Sequence, residues 1–125
     1  MSRFITLHHA SLLVADTQRS LAFYRDLLGM EVSGERPDLG FPGAWLEVGE
    51  GRQIHLLELP NPDPLTGRPE HGGRDRHVAL LVEGLEALKR RLEEASVPFT
   101  VSRSGRAALF CRDPDGNTLE LIEAG

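Results

Sequence analysis

Two of the chain's five histidines stand at the same place in two similar apolar segments. The stretch HHASLLVAD, residues 8 to 16, places His9 three residues before a Leu-Leu-Val run, and the H-x-x-L-L-V pattern returns at His77. A scarce residue type that recurs at the same point of a similar segment indicates an internal duplication. Imidazole is a common ligand of transition metals. The duplicated histidines are therefore candidate metal ligands.

A second polar pair occupies equivalent points near the end of each half of the chain. The segment IHLLE begins at Ile54 and the segment LELIE begins at Leu119, so His55 and Glu120 align. Side chains on a strand alternate between its two faces, and in each segment the polar residue lies opposite the more uniformly apolar face. The sequence therefore predicts one shared polar face for four residues, which are His9, His55, His77 and Glu120.

Three imidazoles and one carboxylate form a donor set that suits a divalent Ni, Zn, Mn or Fe ion, with one ligand from each strand. The alternative for each residue is structural, because a lone histidine on a strand is often only packed or hydrogen bonded, and Glu120 alone is compatible with a surface position. The repeat-related placement favours the metal site. His8 falls on the other face of its strand and His71 in a loop, so neither is included.

The same alternation identifies a candidate pocket wall. Trp45, Arg106 and Phe110 fall on the polar face of their predicted strands. The two aromatic rings would pack against a small substrate, and Arg106, with Arg103 nearby, would meet an anionic group such as a carboxylate or a phosphonate. The alternative for the aromatic rings is that they only fill space on a curved sheet.

Hydrophobic periodicity predicts two modules of the same order. Asp16 or Thr17 caps a helix that runs to Leu28, and strands are expected near 30–35, 44–48 and 53–59. The Pro- and Gly-rich stretch 60–75 is a linker or a lid. A second strand, helix and three strands follow, with strands near 98–102, 106–112 and 117–123. We predict an α+β fold of two β-α-β-β-β modules, residues 4–59 and 76–124, within a single domain 1–125.

Composition narrows the classes of function. With 14 Lys and Arg against 19 Asp and Glu, the chain has a net charge of -5 and no basic footprint for nucleic acid or an anionic membrane. It has neither an apolar run of the roughly 20 residues that a membrane span needs nor a signal-peptide pattern, so a cytoplasmic location is expected. The single cysteine, Cys111, cannot form an internal disulfide and is interpreted as a buried apolar residue.

Longer motifs make the chain resemble the vicinal oxygen chelate superfamily, which includes glyoxalase I, extradiol dioxygenases, fosfomycin-modifying enzymes and bleomycin-binding proteins. The pattern H-x-x-L-x-V-x-D begins at His9 and is followed by RSLAFYRDLLGM at 19–30. The segment FCRDPDGNTLEL at 110–121 is similar to the other family signature. The resemblance implies cupped mixed sheets with the helices on their outer faces. It also implies a divalent ion held by His9, His55, His77 and Glu120.

The chemistry that this resemblance implies is chelation of vicinal substrate oxygens by a metal that stabilises an enolate or another oxyanion. In a glyoxalase-like lyase or isomerase, Glu120 would be both ligand and catalytic base. Bacterial glyoxalase I usually has a second carboxylate where His55 stands, and the chain departs from that pattern. Extradiol dioxygenase chemistry and fosfomycin-type thiol transfer are alternative activities. The competing class is a metal-free, bleomycin-like binding protein.

The resemblance also bears on partners. It implies a small-molecule substrate, a thiol cosubstrate in some members, and a homodimer. In part of the family, one site takes ligands from both chains of the dimer. Because this chain carries two modules, its site would be complete either within one chain or across a dimer.

Overall fold

The computed structural model describes residues 1–125, and its elements follow the predicted order. The first module contains four strands and one helix, which are β1 (His9–Val14), α1 (Thr17–Leu21, continued as a π-helix over Ala22–Leu27), β2 (Glu31–Val32), β3 (Gly43–Glu47) and β4 (Gln53–Glu58). A 3-10 turn, Gly72–Arg74, lies in the connecting loop. The second module contains β5 (His77–Val82), α2 (Leu85–Glu94), β6 (Phe99–Val101), β7 (Ala108–Arg112) and β8 (Thr118–Glu123).

Each module forms its own four-stranded mixed sheet. The strand order is β1-β4-β3-β2 in the first sheet and β5-β8-β7-β6 in the second. In both sheets the first strand pairs in parallel with the last strand of its module, and the remaining pairs are antiparallel. The predicted α+β fold with two repeated β-α-β-β-β modules is therefore confirmed.

The first helix begins and ends where its sequence indicates. The Asp16 side chain accepts hydrogen bonds from the backbone N–H groups of Gln18 and Arg19, at 2.9 and 3.3 Å, which caps the helix. Helical structure ends at Leu27, and Gly29 then takes a φ of 85°, a left-handed conformation that glycine adopts without strain. The second strand is shorter than the predicted 30–35, because Gly34 and Pro37 turn the chain away from β3.

The helices cover one face of each sheet and leave the other face open. One core cluster of 15 buried residues draws on both modules and includes Leu21 and Tyr24 of the first helical segment and Leu88 and Leu92 of α2. On the opposite, concave faces, alternate side chains of β1 and β5 are exposed, and Leu81 is 71% exposed. Neither helix has the length and apolar character that a membrane-spanning segment requires.

A buried carboxylate joins the two modules. The Tyr24 hydroxyl of the first module donates a 2.7 Å hydrogen bond to Asp113 Oδ2, and Asp113 Oδ1 accepts the backbone N–H groups of Asp115 and Asn117, each at 2.9 Å. The Asn117 amide donates to both Asp113 Oδ2 and the Leu13 carbonyl. Burial raises the pKa of Asp113, and burial also raises the pKa of Tyr24. These bonds fix the DPDGN turn against β1 and the first helical segment.

The lone thiol has a structural role. Cys111 lies on β7, is 2% exposed and belongs to the core cluster. Burial raises the pKa of the Cys111 thiol to about 12, so the thiolate that a nucleophile requires is not formed near neutral pH. This agrees with its interpretation as a packed apolar residue.

Candidate metal centre

The second sheet brings two of the predicted ligands together. His77 Nε2 lies 3.3 Å from Glu120 Oε1 on the concave face. Their positions follow from the parallel pairing of β5 with β8, in which Ala79 is opposite Glu120 and His77 is therefore two residues along the neighbouring strand. The Glu120 side chain is only 4% exposed, whereas that of His77 is 27% exposed. The pair thus places a buried carboxylate beside a partly exposed imidazole.

A backbone carbonyl orients the His77 ring. Its Nδ1 lies 2.8 Å from the backbone carbonyl of Asp75, so Nδ1 carries the proton and donates it. The other ring nitrogen, Nε2, faces Glu120. Histidines that bind metals through one nitrogen almost always donate the other N–H to a carbonyl or a carboxylate. This donor geometry fits a divalent ion.

Two predicted substrate contacts adjoin this pair. Arg106 donates a 3.1 Å hydrogen bond to Glu120 Oε2, which gives the buried carboxylate a counter-charge. Phe110 is the cross-strand neighbour of Glu120, and its ring meets the His77 ring edge to face at 5.1 Å. Arg106 and Phe110 therefore lie beside the candidate ligands.

The first sheet brings the other two predicted ligands together. The rings of His9 and His55 stack with centroids 4.1 Å apart, and Trp45 stacks against His55 at 4.3 Å. His55 Nε2 lies 2.9 Å from Gln53 Oε1, so this nitrogen carries the proton and Nδ1 holds the lone pair. Burial, followed by the charges of His9, His8 and Arg36, lowers the pKa of His55. The neutral imidazole that binds metal is favoured.

His8, which sequence reasoning excluded, contacts one of these rings. Its Nδ1 lies 2.8 Å from His9 Nδ1, and the His8 side chain is exposed at the rim of the sheet. One of the two Nδ1 atoms must donate and the other accept. When His9 Nδ1 is the donor, His9 Nε2 holds the lone pair that a metal ligand needs.

The two pairs do not meet within one chain. No three His, Cys, Asp or Glu side chains are grouped closely enough to hold a metal ion together. Each concave face instead carries half of the predicted donor set, two imidazoles on the first sheet and an imidazole with a carboxylate on the second. The chemistry of the donors fits a divalent transition metal, and neither face alone carries all four of the predicted ligands.

The 60–75 loop reaches the candidate site. Sequence reasoning left the conformation of this loop open. Arg112 donates to Asp75 Oδ2 at 2.8 Å, and Arg68 donates to the same carboxylate at 2.9 Å. Arg68, assisted by Arg112, holds the pKa of Asp75 well below its usual range. A Cβ on Gly72 would lie 2.7 Å from Thr118 Cγ2, so only glycine allows the loop to approach the sheet this closely. The pair of adjacent glycines in HGGR is the sequence feature that could have indicated this close approach.

Comparison with known proteins identifies the class. The sequence model of the Glyoxalase/Bleomycin resistance protein/Dioxygenase superfamily matches residues 6–121. The chain belongs to this superfamily. It is 34% identical over 122 residues to Glyoxylase I 4 of Arabidopsis thaliana, covering 93% of this chain and 69% of that protein.

Two further comparisons cover nearly whole chains. The lactoylglutathione lyase of Salmonella typhimurium is 30% identical over 125 residues, which cover 94% of this chain and 92% of that protein. A glyoxalase family protein from Bacillus anthracis superposes with a TM-score of 0.80 at 21% identity, and the match covers 100% of both chains. The sequence relatives support the superfamily, and the structural neighbour supports the fold.

Proposed function

We propose that the protein is a divalent-metal-dependent enzyme of the glyoxalase type. It acts as a lyase or isomerase on a small substrate with vicinal oxygens, and a thiol adduct is the substrate that best suits its relatives. The observation that carries this proposal is the His77 and Glu120 pair, in which the Asp75 carbonyl accepts a hydrogen bond from Nδ1 and so turns Nε2 toward the carboxylate. The relative named lactoylglutathione lyase supports the reaction class.

We propose further that a homodimer completes the metal centre. The two half-sets are complementary, and both lie on concave faces whose first strands are exposed. In a dimer with two-fold symmetry, the first sheet of one protomer faces the second sheet of its partner, which creates two equivalent sites. Each site then contains three imidazoles and one carboxylate. The exposed Leu81 on the same face of β5 suits an interface.

Each candidate site residue has its own role in the proposed reaction. A bound ion would supply Lewis-acid activation of the substrate oxygens. Glu120 takes the substrate proton, and Arg106 supports the negative charge of that carboxylate. Phe110 and Trp45 pack against the substrate from the two sheets. We also propose a cytoplasmic location, with which a single cysteine that cannot form an internal disulfide agrees.

The choice among the family's activities rests on the ligand set. Three histidines and one glutamate leave fewer open positions than a dioxygenase site needs for both an aromatic diol and oxygen. A protein that binds its ligand without metal would have no need for four potential metal ligands at repeat-related positions. We therefore place lyase or isomerase chemistry ahead of ring cleavage, thiol transfer and ligand binding without metal.

Metal content is expected to depend on His77. Protein purified without added metal or chelator should contain about one transition-metal ion per chain by mass spectrometry, and His77→Ala should lose most of it. His71→Ala is the matched control, because that imidazole lies nearby but uses both ring nitrogens in hydrogen bonds to Gly73 and Val101. Wild-type protein that contains no metal and takes none up on reconstitution would contradict the proposal and favour the metal-free alternative.

A further inference from the structure

A polar cavity of about 370 Å³ adjoins His77 and Glu120 on the second sheet. Its walls are the turn at 71–74, the loop at 102–106, and the side chains of β5, β7 and β8 that carry the candidate site. Phe110 is the one hydrophobic residue among its lining residues. The volume is that of a small-molecule site, but the polarity of the walls is unlike that of a mainly apolar pocket.

Three arginines line this cavity, and two of them have no counter-charge. Arg106 forms an ion pair with Glu120, whereas Arg74 and Arg103 take part in none of the ion pairs of the structure. The chain as a whole carries a net charge of -5. Two unpaired guanidinium groups in one cavity of an acidic protein make a local region that attracts anions.

The turn that bears Arg74 is held in place. The His71 ring accepts the Gly73 N–H at Nδ1, at 3.0 Å, and its Nε2 lies 3.2 Å from the Val101 carbonyl of β6. Both ring nitrogens are thus engaged. A Cβ on Gly73 would lie within 3.2 Å of the Phe110 ring, which shows how closely the turn packs on the sheet. Arg74 therefore extends from a fixed turn.

The opposite wall supplies further donors. Ser102 and Ser104 line the cavity beside Arg103, and their hydroxyl oxygens lie 2.8 Å apart. Hydroxyl groups and guanidinium forks are the groups that bind carboxylate and phosphate oxygens in proteins. No acidic residue other than Glu120 lines the cavity.

We propose that this cavity is an oxyanion-binding subsite, in which Arg74 and Arg103 hold a carboxylate or phosphate group of the substrate. The subsite adds a substrate class to the proposed function. It depends on the proposed function only for the reaction at Glu120. The anionic group is bound between the 71–74 turn and the 102–106 loop, while the reacting end of the molecule reaches His77 and Glu120. The substrate class is therefore small, polar and anionic.

Anion binding to the metal-free protein tests this proposal independently of the enzyme activity. The wild type, kept in a chelator at constant ionic strength, is titrated with inorganic phosphate and, in a parallel series, with acetate. Amide chemical shifts of residues 71–74 and 102–106 report binding. We expect saturable shifts for at least one anion, and Arg74→Ala and Arg103→Ala should each weaken binding about tenfold.

Arg90→Ala is the control, because it removes one positive charge from the exposed outer face of α2. It should leave the affinity within about twofold of the wild type. The anion that binds more tightly identifies the substrate group. The absence of saturable shifts, or an Arg90→Ala effect as large as that of Arg103→Ala, would overturn the subsite. A protein that binds phosphate but no metal would retain the subsite and lose the proposed reaction.

Discussion

Replacing Asp113 with alanine is expected to lower the free energy of unfolding by about 3–5 kcal/mol, the largest stability effect of any substitution considered. The carboxylate is buried and accepts hydrogen bonds from Tyr24, Asp115 and Asn117. Alanine leaves these donors without acceptors in the interior, where an unsatisfied polar group is most costly. Urea unfolding followed by circular dichroism measures the change.

Two control variants define the role of the Asp113 carboxylate. Tyr24→Phe removes one donor and leaves the other bonds in place, so a loss of about 1 kcal/mol is expected. Asp26→Ala removes an exposed carboxylate that pairs only with Arg25, and its effect should stay within about 0.5 kcal/mol. An Asp113→Ala protein no less stable than Tyr24→Phe would show that the modules are not joined through this group.

Glu120→Gln is expected to reduce turnover by about a thousandfold on the glutathione adduct of an α-oxoaldehyde. Glutamine has nearly the same shape, but its amide cannot act as a base and carries no negative charge to balance Arg106. Initial rates and metal content are measured on the same preparations. The metal content shows whether a lower rate comes from loss of the catalytic base or from loss of a metal ligand.

Glu93→Gln on the exposed face of α2 is the matched control for Glu120→Gln and should keep nearly full activity. A Glu120→Gln protein that retains both its metal and more than a tenth of the wild-type rate would exclude Glu120 as the base. Loss of both the metal and the activity would show that Glu120 is required for metal binding.

Sequence patterns predicted the modules and the faces of the strands because both depend on local order. Alternation along β4 and β8 placed His55 and Glu120 on the faces opposite the core, and the structure has Ile54, Leu56, Leu119 and Leu121 buried on the other side. The internal repeat then aligned His9 with His77. These inferences need only the period of a strand and the positions of the breaks between elements.

Long-range contacts lay beyond such patterns. The contact of Asp113 with Tyr24 joins residues far apart in the chain, and the DPDGN motif predicted only a hairpin turn. The 60–75 loop lies on the second sheet because Arg112 and Asp75 pair, which neither local composition nor periodicity could show. The separation of the two ligand pairs likewise depends on how the modules pack, so the sequence left one-chain and two-chain sites equally open.

Metal binding by mixed dimers tests the shared site most directly. One variant carries His9→Ala and His55→Ala, the other His77→Ala and Glu120→Gln, and each alone should bind no metal. A heterodimer has two sites. In one site both sheets carry the substitutions, and in the other the intact first sheet of one protomer faces the intact second sheet of its partner. One site of the two is therefore restored. Co-refolded equimolar variants should therefore recover about a quarter of the wild-type metal. No recovery, with the wild type fully loaded, would contradict a site shared between protomers.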